Sequence, residues 1–552
     1  MKYVLTIAIM LSLSFGLITE SFRYQSTARL FEDDYDLLFD PARIPQIEGS
    51  RLWTSLANFV SGSEEFFSNG SVPYVLVGGA TNLGKYYPGV VYDQSQSIDA
   101  LYTGLDDPNG NPLYGDGELS QIDWIDSDGN GVFDGRNTTT ETRSAYNTEK
   151  YRDIYFALGT KLNGIRLGIG FMRNYSRIAD TDPANNFTYS YTEEDLTTST
   201  TTFQSNATSS GDNVTNSLNN NIILSTWFDK ENMSIGLGAE FDLISQKNEA
   251  VIIGDTTIYT APANPATDHT IVNTLDSLYQ PQSGKQISVN LKLFRDYNEN
   301  AQGRFYVSFY MRSLNYSDDA ISYYYKTREN IYEAPGVGYT WDTTSTITYY
   351  DGGSNRKGIA VATKQLFDVS DRLKFGFGLG FNTYSYFDST TARDTSVAIT
   401  HYDDNDGMTN DPDDYVQTVW SSQTWMTKVT GSVKAINIPV GVEFYLAEPL
   451  VFRLGAEHTL AFNNYTTVTD LIQYEPQRTR TVDGTGAVNE SMEDPPNQPV
   501  GSEETRAETN PSTNYFYGLG WQVNENLQID IMGFSEITNL SNWRISATLK
   551  FD

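Results

Sequence analysis

The chain of 552 residues contains no cysteine. Disulfides, thiolate chemistry and lipoprotein anchoring are thereby excluded. After its first residues it has no run of about 18 apolar residues, so no transmembrane helix is expected. Basic residues are scarce, with 37 Lys and Arg against 70 Asp and Glu and a formal net charge of −33. Nucleic acid, whose phosphates need Lys and Arg, is therefore not an expected partner. Histidine is rarer still, at 3: His269, His401 and His458. The first two fall in long polar stretches and the third on an expected strand beside Glu457. No Gly-x-Ser-x-Gly, metal-ligand histidine pair or phosphate loop accompanies them, so the chain is not expected to be an enzyme.

What the chain has in quantity is aromatic residues, 13% of the total with 37 Tyr and 28 Phe, and short stretches of strict alternation. In Ile287-Ser288-Val289-Asn290-Leu291-Lys292-Leu293 apolar residues take the odd positions and polar ones the even. After a polar turn, residues 304–312 alternate again. Period-2 alternation marks a β-strand with one apolar face, and two such strands across a tight turn make an antiparallel hairpin. The pattern recurs at 151–160 and 165–173, 221–228 and 233–244, 358–367 and 373–387, 436–446 and 450–460, 515–521 and 527–534, and finally 543–551. Less regular strands are expected at 51–60, 74–79 and 87–92.

Two kinds of connection take turns. One is a few residues long. The other is long, polar and rich in Asp, Thr, Ser and Asn: 96–150, 175–217, 248–283, 315–356, 388–428 and 466–512. Short turns at one end and long loops at the other are the plan of a bacterial outer-membrane barrel, and aromatic girdles belong to it. The expected fold is all-β: a transmembrane antiparallel up-and-down β-barrel of about sixteen strands, with fourteen as the alternative, short periplasmic turns and long acidic outer loops. The expected division is a signal peptide over 1–21, a periplasmic or hatch segment over 22–50, and the barrel over 51–552. The last strand sets Trp543, Ile545, Ala547, Leu549 and Phe551 on one face, a form that the barrel-assembly machinery reads.

A charge on the lipid face near the bilayer midplane costs roughly 2–4 kcal/mol, so each strand's polar face should meet the lumen. That assigns Arg166, Glu240, Asp242, Lys292, Arg304, Arg312, Lys374, Glu443, Arg453, Glu457, Asp530 and Arg544 inward. Glycines share that face at 168 and 170, at 236 and 238, and at 376, 378 and 380. They provide either strand curvature or room for a solute path or an inserted plug. Separately, Asp126-Ser127-Asp128-Gly129-Asn130-Gly131-Val132-Phe133-Asp134 begins like a calcium loop. Asp126, Asp128, Asn130 and Asp134, with the Val132 carbonyl, are the candidate ligands of a calcium ion in an outer loop. Position twelve is Asn137 rather than Glu, which makes an acidic turn the competing reading. The acidic stretch 403–414 lacks such spacing and reads as a solvated loop.

Shortly before the first strand stands Phe39-Asp40-Pro41-Ala42. This string resembles the Asn-Pro-Ala motif in the N-terminal hatch of outer-membrane transporters of the FadL type, with Asp40 in the Asn position. Residues 438–444 and 450–456 also look like strands of that group. The resemblance implies uptake of hydrophobic small molecules through a plugged barrel, with Asp40, Pro41 and Ala42 in the hatch. The expected function is a porin or transporter passing small solutes across the outer membrane of a bacterial cell. Its expected partners are outer-membrane lipid, a small-molecule solute and the assembly machinery, and no cofactor is required. The alternative is a surface-interaction, adhesin-like barrel whose acidic loops bind a partner or cations.

Overall fold

The computed structural model describes residues 20–57, 74–107, 109–259, 269–331, 338–404, 406, 408, 411–493, 500–534 and 543–551. The expected signal peptide lies outside them except for Glu20 and Ser21, as does the end of the expected strand 51–60. Among the described residues no helix is long and apolar enough to cross a membrane.

Among the described residues twenty-two strands follow one another. They are β1 (Ser50–Ala57), β2 (Tyr74–Ala80), β3 (Tyr86–Ala100), β4 (Tyr102–Asp106), β5 (Pro112–Ile125), β6 (Gly135–Leu162), β7 (Ile165–Thr181) and β8 (Phe187–Asp195). Next come β9 (Thr200–Ser210), β10 (Asn213–Lys230), β11 (Met233–Tyr259), β12 (His269–Asn298), β13 (Ala301–Tyr316), β14 (Ile321–Ile331) and β15 (Tyr339–Ser370). The chain ends with β16 (Leu373–Asp403), β17 (Tyr415–Ala447), β18 (Leu450–Asp483), β19 (Val488–Met492), β20 (Gly501–Asn524), β21 (Leu527–Phe534) and β22 (Trp543–Phe551). All but β4, β5, β8, β9, β14 and β19 pair with their neighbours into one antiparallel ring of sixteen. β22 closes it on β1, from Ser50 opposite Phe551 to Ala57 opposite Arg544.

Alternation decides which face each residue takes. Val289 of β12 sits opposite Phe309 of β13, and both are about half exposed on the outside of the ring. Ile287, Leu291 and Phe305 share that outer face and are exposed, and Val307 is half-buried. At the short turn between β6 and β7, Asn163 (φ 46°) and Gly164 (φ 83°) take the left-handed backbone of a two-residue hairpin.

Among the described residues the long connections are mostly strand. β15 to β18 run for 32, 31, 33 and 34 residues, whereas about 9–11 suffice to cross a bilayer. Where β7 ends, β8 takes its place against β6, from Phe187 opposite Arg143 onward. β14 likewise continues the wall above β13 between β12 and β15. The expected acidic outer loops are therefore largely strands of a tall sheet. Thr and Tyr favour strands through side-chain shape. With polar residues on both faces, such strands show no alternation, so the period-2 signal misses them.

Among the described residues before β1 are two short helices, Phe22–Ser26 and Asp34–Leu38, and a 3-10 helix, Pro41–Gln46. Ser21 caps the first through its side chain. Asp33 and Asp36 form a capping box on the second, and Pro41 starts the third. This segment touches β1, β3, β6, β7, β10, β12, β13, β15, β16, β17, β18 and β20. A segment this short can meet strands on all sides of a closed ring only from within it. Its residues Leu30, Leu38 and Ala42 are wholly buried. The main apolar core joins Tyr35, Leu38, Ile44 and Ile47 to Trp53, Leu76, Val91 and Tyr155 of the wall.

Candidate functional site: the filled lumen

Asp40 is the fixed point. Its Oδ2 accepts from Lys292 Nζ and from Trp227 Nε1, each at 2.9 Å. Pro41 follows and packs on the wall, and the Ala42 N–H donates to Ser225 Oγ at 2.8 Å. The Asp-Pro-Ala string therefore docks onto β10 and β12. Burial pushes the Asp40 carboxyl upward, but the charges of Lys292 and Arg43 and the Trp227 hydrogen bond outweigh it and hold it below the ordinary range.

Pro41 can approach because the wall has no side chain there. A Cβ on Gly168 would stand 2.2 Å from the Pro41 carbonyl carbon and 2.3 Å from the Ala42 nitrogen. The same holds across the ring. A Cβ on Gly441 would stand 2.4 Å from the Thr27 oxygen, and one on Gly455 2.5 Å from the Ala28 nitrogen. Those neighbours are backbone, which cannot swing aside. Of the inward glycines named from the sequence, Gly168, Gly170 and Gly376 meet the inserted segment, whereas Gly236, Gly238, Gly378 and Gly380 meet other residues of the wall.

Ion pairs hold the segment from several sides. Arg23 binds Glu443 with two hydrogen bonds, 2.8 and 2.7 Å. Arg453 donates to the same Glu443 at 3.1 Å and to Asp530 at 2.5 Å. Glu443, Arg453 and Asp530 are all buried. On another side Glu32 lies 2.9 Å from Arg43 and 2.8 Å from Arg304, the second contact lacking hydrogen-bond geometry. Arg29 pairs with Glu457 at 3.0 Å and with Glu20 at 2.7 Å. Lys364 donates to Tyr24 Oη and to the Arg29 carbonyl, and Tyr155 Oη donates to the Leu38 carbonyl.

Within the segment, burial and the facing Asp530 push the Asp33 carboxyl up to about 6. Burial, with Asp33 beside it, also raises Asp36 well above its ordinary value. Glu32 goes the other way: burial is outweighed by Arg43 and Arg304, and its carboxyl is held far below the usual range.

The remaining expected lumen residues whose side chains are described also face inward. Arg166 is buried, forks onto Asp229 at 2.7 and 2.6 Å and lies over the Trp227 ring. Glu240 accepts from Asn290 at 3.0 Å, and Lys374 stands 3.5 Å from Asp368. Asp242 is buried with one oxygen unpartnered, and Arg312 has an unpartnered Nε. The backbone of Arg544 pairs with Ala57 and Met532. Tyr155, Ser225, Trp227 and Lys364 were not among the expected site residues. Their inward parity was readable, but nothing showed what they would meet.

The loop 126–134 engages its acidic groups locally. Asp126 accepts from the Asn130 and Gly131 N–H groups, Asp128 from Asn130, and Asp134 from Ser127. Among the described residues, the carboxylates drawn within 4.8 Å of one another are instead Asp403, Asp404 and Asp414, in the stretch read as a solvated loop. His458 lies on the outer side and meets Thr513 at 2.9 Å.

No family model matches the sequence, and no curated protein matches it. Among solved structures the chain is similar to the toluene transporter TbuX of Ralstonia pickettii, with 8% identity and a TM-score of 0.32 over 96% of this chain and 98% of that one. It is similar also to the ferric-catecholate import receptor Fiu of E. coli, with 9% identity and a TM-score of 0.30 over 91% and 81%. A third is the FrpB iron transporter of Neisseria meningitidis, with 9% identity and a TM-score of 0.29 over 94% and 84%. These overlaps are loose.

Proposed function

We propose that the ring is a β-barrel spanning a bacterial outer membrane and passing small solutes, hydrophobic compounds included, and that residues 20–47 are its hatch. Two features support the membrane reading: an even-numbered closed ring and an exposed apolar outer face that lipid would cover. β22, with its Phe551, is the strand offered to the assembly machinery. The observation that carries the hatch is its seat: backbone resting on wall glycines, fastened by side-chain pairs on opposite sides of the ring. Charged pairs can exchange partners with water and solute, so such a seat suits a part that moves.

Removing one partner of a buried ion pair costs roughly 3–5 kcal/mol. Glu443→Gln should therefore release Arg23 and raise solute flux into proteoliposomes several-fold, with the ring still folded by its heat-modifiable gel mobility. Flux unchanged from wild type would count against the hatch.

The tall outer sheet favours a second role. Strands of 31–34 residues stand well clear of any bilayer and offer a surface for a partner or for cations. For the loop 126–134 we propose weak calcium binding, with a dissociation constant on the order of 10⁻⁴–10⁻³ M. Millimolar-scale calcium should then slow protease cleavage in this loop. A pattern that Asp126→Ala with Asp128→Ala leaves untouched would make it an acidic turn only.

A further inference from the structure

Two positively charged pairs stand directly opposite one another on β13 and β15, both on the lumen face. The lower is Arg304 opposite Lys364, and the upper is Arg312 opposite Arg356. Like charges directly opposite on adjacent strands destabilise a sheet. The lower pair is answered by the hatch: Glu32 lies 2.8 Å from Arg304, while Tyr24 and the Arg29 carbonyl accept from Lys364. The upper pair has no such answer. Among the described residues neither Arg312 nor Arg356 makes an ion pair within 4.0 Å, and the buried Arg312 Nε has no hydrogen-bond partner. The carboxylates in electrostatic reach are Asp242 and Asp388, each with an oxygen likewise unpartnered.

We propose that Arg312 and Arg356 form an anion fork in the lumen that takes the carboxylate of a small monoanionic organic acid with a flat apolar body. The incoming carboxylate plays for the upper pair the part that Glu32 plays for the lower one. Guanidinium groups are planar and bind a carboxylate with two parallel hydrogen bonds, which suits them to this task better than lysine. The charge count sets the valence. Two arginines and two aspartates sum to zero, so a single negative charge is tolerated while a dianion is repelled by Asp242 and Asp388.

The aromatic neighbours set the shape of the body. Tyr384 stands opposite Gly358 on the next strand, its Cβ within 2.7 Å of where a Cβ on Gly358 would be. Tyr310, two positions from Arg312, lies across Gly358, where a Cβ would come within 2.7 Å of its ring. The fork and these rings together make a site that is charged at one end and aromatic at the other. It lies eight positions further along β13 and β15 than the pair that holds the hatch, roughly 27 Å towards the far side from the short turns. A solute held there waits in front of the hatch.

This inference rests on the solute-passage reading but is tested without flux, so a hatch that fails to open would not mimic its failure. Calorimetry on the full chain in nanodiscs, with benzoate, benzyl alcohol and inorganic phosphate as probes, reads it directly. Benzoate should bind, and Arg312→Gln or Arg356→Gln should weaken it at least about tenfold. Benzyl alcohol and phosphate should not compete. The ligand-free variants should be at least as heat-stable as wild type, because a repulsion has been removed. Benzoate affinity unchanged in both variants would overturn the fork, and phosphate competing as well as benzoate would overturn the ligand class. A fall in ligand-free stability would show the arginines to be structural partners of Asp242 and Asp388 instead.

Discussion

At the wall position facing Pro41, a hydrogen in place of a methyl group decides whether the inner segment fits, and Gly168 supplies it. The charged residues around it were readable from the sequence, because a charge on the outer face is costly and so each had to point in. Their partners were not. Arg23, Arg29, Glu32 and Arg43 lie in a stretch without any period, and only the folded segment brings them to Glu443, Glu457, Arg304 and back to Glu32. Ser21 and Glu20 belong to the same network through Asp36 and Arg29, so the folded part starts before the boundary expected at 22.

The carboxyls of this segment give it a pH dependence. Asp33, raised to about 6 by burial and by Asp530, holds its proton more tightly when seated than when released. Its contribution to seating is full below the ordinary carboxyl value of 3.8 and is lost as pH rises through about 6. Glu32 contributes in the opposite sense, favouring the seat above the ordinary glutamate range and losing that on strong acidification. Raising the pH from about 5 to about 7 should therefore speed protease attack on the segment. Asp33→Asn keeps the helix cap but cannot ionise, so it should flatten that dependence. An undiminished pH dependence in this variant would assign the effect to other groups, Asp36 foremost.

At the scale of elements, the sixteen ring strands were legible where they lie between an apolar outside and a polar inside, because alternation records that boundary. The outer extensions were not, since water on both faces leaves no boundary to record. Gly352, at φ 117°, sits within β15 and hints at this limit: turn-like residues there occur inside a strand. Cysteine scanning along β12 and β13 tests the assigned faces. Labels at Ile287, Val289, Leu291, Phe305, Val307 and Phe309 should be quenched from the lipid phase, while labels at Lys292 and Tyr306 should not. Equal quenching on both sets would mean that the outer face is not lipid-covered.

For the whole molecule, the proposed transporter combines a closed ring, a filled lumen and a tall outer sheet, with the inner segment as its hatch. The ring follows from strand pairing and the filling from side-chain contacts, whereas the movement is the step that the function needs. The most direct test is single-channel recording in planar bilayers, comparing the full chain with one lacking residues 20–47. With the segment in place the ring should show small and rare conductance events. Without it, a lumen enclosed by sixteen strands should conduct steadily, at a level in the range of water-filled porins of that strand number. Equal conductance from both proteins, each with the heat-modifiable mobility of a folded ring, would contradict the hatch and leave the segment a fixed part of the wall.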